Sequence, residues 1–153
     1  MKYFLDSAKL DEIRYAHETF GIDGVTTNPR HIMLSGKPFR TAIQDIADWV
    51  KAEGLTGVDR FPVSVEIDPH IDETEAMIVA ARKIAAVSEN FVVKIPATEA
   101  GVAAARRLER EGIRLLAEGD PDYPVLLKHI PDPPHILYSR GEPGCLQGRC
   151  LTM

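Results

Sequence analysis

Phe91-Val92-Val93-Lys94-Ile95 is an aliphatic run broken once, by a lysine. An extended strand points alternate side chains to opposite faces, so Lys94 shares a face with Val92, while Phe91, Val93 and Ile95 share the other. Burying an unpaired ammonium is costly, so this lysine meets either a partner or a site. Val63-Ser64-Val65-Glu66-Ile67 repeats the pattern, with Ser64 and Glu66 opposite three branched aliphatics. Upstream, the stretch 2–6 pairs Phe4 with Asp6, and Gly24-Val25-Thr26-Thr27 sets Gly24, Thr26 and then Asn28 on one side. Each strand turns aliphatics to one face and carries a polar group near its C-terminal end on the other.

Helical stretches fill the gaps. Ser7 is placed to cap a helix over 8–20, with Leu10, Ile13 and His17 on one face. Pro38 opens a second helix striped by Ile43, Ile46, Ala47 and Val50. A third runs over 72–87, with Asp72, Glu73 and Glu75 at its positive end. Thr98 caps a fourth, which ends at Gly112. Four β-then-α units in series predict an α/β fold with a parallel sheet and right-handed crossovers. If such a sheet curls into a barrel, the polar groups lie inside at the C-terminal rim, where barrel enzymes work.

Composition bounds what else the chain can be. At 153 residues, 44% hydrophobic and 27% charged, it has room for one domain with a core, or one domain and a short appendage. A net charge of −5 disfavours nucleic acid as a partner. No apolar run approaches the roughly 18 residues of a membrane span, and Met1-Lys2-Tyr3-Phe4-Leu5-Asp6 is too short and acidic for a signal peptide. The expected location is the cytoplasm. Cys145 and Cys150 fit no metal motif and read as reduced, exposed thiols. The histidines at 17, 31, 70, 129 and 135 lack ligand spacing, so no metal and no cofactor is expected.

The residues alone leave alternatives open. Asp6 could cap the following helix, and Asn28 before Pro29 could be a turn former. Thr26 suits any strand, and Glu66 could be a structural ion-pair partner of Lys94. Lys94 is the hardest to explain without chemistry.

Four blocks resemble the transaldolase and fructose-6-phosphate aldolase family, in its order and near its spacing. They are Met1-Lys2-Tyr3-Phe4-Leu5-Asp6-Ser7-Ala8, Gly24-Val25-Thr26-Thr27-Asn28-Pro29, Ser64-Val65-Glu66, and Val92-Val93-Lys94-Ile95-Pro96-Ala97-Thr98-Glu99-Ala100-Gly101. The resemblance covers about residues 1–113. It implies four βα units of a (β/α)8 (TIM) barrel and a sugar phosphate as the small-molecule partner, in the manner of the pentose phosphate pathway. It gives Lys94 the Schiff base, Asp6 proton transfer, Asn28 and Thr26 contacts with substrate, and Glu66 a part in activating water. Glutamate at position 66 matches the transaldolase branch, where the aldolase branch tends to have glutamine. Imine formation uses the neutral amine, and the protonated imine then draws electrons from the C3–C4 bond.

Beyond Glu111-Gly112-Ile113 the texture changes, with Pro121, Pro124, Pro131, Pro133, Pro134 and Pro143 crowding a Pro-rich α+β tail over 114–153. A domain boundary is expected at about 113/114. Residues 113–116 could form a fifth strand and 135–139 cover a sheet edge, with a short helix over 123–130, while 141–153 are expected to fray. The family's later strands, with a water-holding Thr or Asn and a phosphate-gripping Ser and Arg, have no counterpart here. A closed barrel takes about 250 residues, so the barrel is expected to be incomplete, turnover impaired, and self-association a route to covering open strands.

Residues 112–141 resemble the entry segment of the DNA-processing protein A family, through Gly112-Ile113-Arg114-Leu115-Leu116, Gly119-Asp120-Pro121-Asp122-Tyr123-Pro124 and Ile130-Pro131-Asp132-Pro133-Pro134. That resemblance implies single-stranded DNA binding. However, Arg114, Lys128, Arg140 and Arg149 are outweighed by Glu118, Asp120, Asp122, Asp132 and Glu142. Three readings stand: a transaldolase-like enzyme, a non-catalytic truncated or chimeric remnant that keeps the site residues, and a DNA-processing fragment.

Overall fold

The structure is a computed structural model that describes residues 2–110 in full, together with the backbone of the strands at 114–117, 136–139 and 150–152. The chain runs β1 (Lys2–Asp6), α1 (Leu10–Phe20), β2 (Gly24–Thr26), α2 (Pro29–Leu34), α3 (Phe39–Ala52), β3 (Val63–Glu66), α4 (Thr74–Ala85), β4 (Phe91–Lys94), α5 (Glu99–Glu109), β5 (Arg114–Ala117), β6 (Ile136–Ser139) and β7 (Cys150–Thr152). The first four strands pair in parallel, each with its sequence neighbour. The α/β alternation and the parallel four-strand sheet expected from four β-then-α units are therefore present.

The two faces of that sheet differ as the alternation requires. Leu5, Val25, Val63, Val65, Phe91 and Val93 look toward the helices and join Ile13, Ile43, Ile46, Ile78 and Leu108 in one apolar cluster. Phe4 and Val92 are also buried, yet stand outside that cluster, on the face of Lys94. His17 packs edge-on against Trp49 and Phe61, with ring centroids 5.4 and 5.9 Å away. Its role is to join α1 to α3.

Several element boundaries differ from the expectation. Helix α1 begins at Leu10 rather than at Ala8, because Ser7 N–H still donates to Thr26 O at 3.1 Å and keeps the chain extended. Ser7 Oγ accepts from Lys9 N–H at 3.1 Å and donates to Glu12 Oε2 at 2.6 Å, so it braces the first turn from outside. Hydrogen bonds from Lys9 and then Ser7 hold the Glu12 carboxyl below its ordinary range. Helix α2 was not foreseen. Asn28 accepts from His31 N–H at 3.0 Å and Pro29 follows at the first helical position, so the Asn-Pro pair starts a helix rather than a mere turn.

The strand order is β5-β6-β4-β3-β2-β1-β7. The fifth strand expected at 113–116 and the edge cover expected at 135–139 both lie in the sheet: antiparallel β6 pairs with β4, with Lys94 opposite Leu137, and β5 pairs outside it. Cys150–Thr152 likewise forms a strand, parallel to β1, where fraying was expected. Both edge additions have one cause. An uncovered strand edge offers a row of N–H and C=O groups that a nearby segment satisfies. The expected helix over 123–130, the helix end at Gly112 and Cys145 lie outside the described residues. Among the described residues, no helix is long and apolar enough to cross a membrane.

Candidate active site

Sheet register brings the sequence-predicted residues together in two pairs. Asp6 lies opposite Thr26, Thr26 opposite Ser64 and Ser64 opposite Val92, forming one row across four strands. Glu66 lies opposite Lys94 in the next row on that face, toward the C-terminal ends of β3 and β4. Parallel register puts each row's side chains on one face.

In the second row Lys94 Nζ is 3.4 Å from Glu66 Oε2, and the two side chains are 20% and 25% exposed. An ammonium this far out of water is supported by the carboxylate, yet still open to a small molecule. In the first row Thr26 Oγ1 donates to Asp6 Oδ1 at 2.8 Å. Thr27 turns the other way and is buried. Its Oγ1 donates to Ser64 O at 2.9 Å, which ties β2 to β3 beneath the site. Ser64 Oγ is buried and without a hydrogen-bond partner among the described residues.

Gly24 and Gly101 shape the floor and the rim. A Cβ at Gly24 would meet the Phe4 ring and lie 2.7 Å from Pro62 O, so the ring covers the position a side chain would take. A Cβ at Gly101 would run into the Pro96 carbonyl. Thr98 Oγ1 accepts from Gly101 N–H at 3.1 Å, so α5 starts tight against the turn that leaves Lys94.

Asn28 was expected at the substrate, and its Oδ1 is spent on capping α2. That cap seats His31, whose Nε2 lies 3.1 Å from Asp6 Oδ2. Sequence reasoning missed His31. The signal was the Asn-Pro helix start, which puts the third helical residue back over the end of β1. Among the described residues no group of three or more His, Cys, Asp or Glu is placed to hold a metal ion. A separate groove of about 680 Å³ lies between α1 and the start of α3, lined by Leu10, Arg14, Tyr15 and Leu34. It shares no residue with either row.

Comparison with known proteins bears on this face. Residues 3–117 match the family model described as transaldolase/fructose-6-phosphate aldolase. Over 113 residues the chain is 58% identical to the 6-deoxy-6-sulfo-D-fructose transaldolases of Priestia aryabhattai and Priestia megaterium. Over 114 residues it is 43% identical to a probable transaldolase of Heliobacterium modesticaldum. Each alignment covers 74% of this chain and 48% of the relative, so the chain spans about half the length of the curated relatives it matches.

Proposed function

The chain belongs to the transaldolase/fructose-6-phosphate aldolase family, and from that premise we propose that Lys94 forms a Schiff base with a ketose bearing an anionic group at C6. The observation that carries this reading is the Glu66–Lys94 pair at the C-terminal ends of adjacent strands, on the face turned away from the helices. We read the four βα units as the front of a (β/α)8 barrel, whose rim this is.

The chemistry follows from what each side chain can donate or accept. Once Glu66 or solvent takes its proton, Lys94 attacks the C2 carbonyl, and loss of water from the carbinolamine gives a protonated imine. The C3–C4 bond then breaks, its electron pair forming a C2–C3 double bond while the C=N π pair moves to nitrogen, and the C4 hydroxyl proton passes to Asp6. An aldehyde leaves, and a three-carbon dihydroxyacetone unit stays on Lys94 as an enamine. An acceptor aldehyde takes up that unit, or protonation and water release it with Glu66 activating the water. Thr26 fixes the Asp6 carboxylate through its hydroxyl.

The substrate reading rests on degree of likeness. Identity to relatives named for 6-deoxy-6-sulfo-D-fructose stands at 58%, against 43% for the probable transaldolase. We therefore favour a 6-sulfonated ketose over a ketose phosphate. For a polypeptide of these 153 residues alone, we propose imine formation with slow turnover. A competing reading, in which Lys94 and Glu66 are only a structural pair, is favoured by their 3.4 Å contact.

Dihydroxyacetone with cyanoborohydride separates these readings, because the reduced adduct is permanent. Adduct formation that 6-deoxy-6-sulfofructose suppresses at lower concentration than fructose 6-phosphate supports the proposal. Equal or reversed suppression refutes the substrate choice, and absence of any Lys94 adduct refutes the enzyme reading.

A further inference from the structure

Asp6 is held at both oxygens. Thr26 Oγ1 donates to Oδ1 at 2.8 Å, and His31 Nε2 stands 3.1 Å from Oδ2. A carboxylate oxygen accepts, so the tautomer of the His31 ring that carries Nε2–H makes this contact a hydrogen bond to Asp6. The two donors come from different elements, β2 and the first turn of α2, and they grip the carboxylate from two sides. His31 is itself fixed, since its backbone N–H is bonded to Asn28 Oδ1 at 3.0 Å. Its side chain is 25% exposed and that of Asp6 40%, which leaves Asp6 open to a substrate.

We propose that His31 is a positioning residue for Asp6, setting the carboxylate in the orientation from which it exchanges a proton with a Lys94-bound ketose. This deepens the Schiff-base reading and rests on it. A carboxylate with one donor rotates about its Cβ–Cγ bond. With two donors on separate oxygens it keeps one plane, and proton transfer is sensitive to such geometry. The role also accounts for Asn28 in this chain: capping α2 is what places His31 over the end of β1.

The test follows 6-deoxy-6-sulfofructose, whose C3–C4 cleavage needs proton transfer to Asp6, and measures the rate of the reduced three-carbon adduct at Lys94 against ketose concentration, in the parent chain and in His31→Ala, His31→Gln and Asp6→Asn. Loss of positioning lowers the limiting rate in His31→Ala by about tenfold or more, with the half-saturating concentration and the melting temperature little changed. His31→Gln, whose amide N–H can donate to the same oxygen, recovers most of that rate. In the Asp6→Asn background, His31→Ala adds no further loss. A His31→Ala rate equal to the parent's overturns the proposal and leaves the Schiff-base reading standing. So does a loss that His31→Gln fails to rescue. Absence of a Lys94 adduct in the parent chain overturns the Schiff-base reading, and this proposal with it.

Discussion

Lys94 and Glu66 are register partners on adjacent parallel strands, and their charged ends meet at 3.4 Å with about a quarter or less of each side chain exposed. Such a pair lies between a surface ion pair and a buried one. Glu66→Gln is therefore expected to cost only about 1 kcal/mol, because the amide keeps the size and can still accept from the ammonium. Urea unfolding measures that cost. The same variant should slow hydrolytic release of a preformed, unreduced imine far more than it lowers stability. A stability loss with unchanged release would mark Glu66 as structural.

Gly101 offers a sharper structural test. Its missing Cβ lets the first turn of α5 sit against the Pro96 carbonyl, and a methyl there forces the turn or the helix to move. Gly101→Ala should destabilise the chain by about 2 kcal/mol despite alanine's better helix propensity. A neutral or stabilising result in thermal melts would mean that the turn after β4 has room to give.

Asn90 is buried, and its single side chain binds the α3–β3 connection to the start of β4. Nδ2 donates to the carbonyls of Leu55, Gly57 and Phe61 at 2.8, 3.1 and 2.8 Å, and Oδ1 accepts from Gly57 N–H at 3.1 Å. Asn90→Ala strands those groups and should cost about 3 kcal/mol. Asn90→Asp should cost at least as much, because it keeps the acceptor while turning a second oxygen toward three carbonyls. Chemical denaturation checks both.

Glu12 makes the stability depend on acid. Its folded carboxyl is held below the ordinary value by Lys9 and then Ser7, so the stability it adds is present above the unfolded value of 4.5 and is lost as pH falls through the lower folded one. Glu12→Gln should flatten that small acid-side slope in melting temperature. An unchanged slope would show that these surface contacts add nothing.

What the sequence revealed and what it hid divide along physical lines. Strand parity placed Asp6, Thr26, Glu66 and Lys94 on one face, because alternation is local and parallel register preserves it. The core helices announced themselves through Ile43, Ile46 and Val50 or through the Thr98 cap. Helix α2 was hidden because six residues carry too little periodicity, leaving only Asn28 and Pro29 as signals. The His31–Asp6 contact joins residues 25 apart and exists only once α2 is recognised. The insertion of Ile136–Ser139 beside β4 depends on which edge is free in three dimensions, and no local pattern in Ile136-Leu137-Tyr138-Ser139 names its partner.

On the proposed mechanism, Lys94 is the amine that reacts with ketoses. Dihydroxyacetone followed by borohydride reduction and peptide mapping measures this directly on the intact chain. One dominant adduct is expected, on the peptide holding Phe91-Val92-Val93-Lys94, and it should disappear in Lys94→Met. Adducts spread evenly over exposed lysines such as Lys9, Lys37 and Lys51 would contradict it.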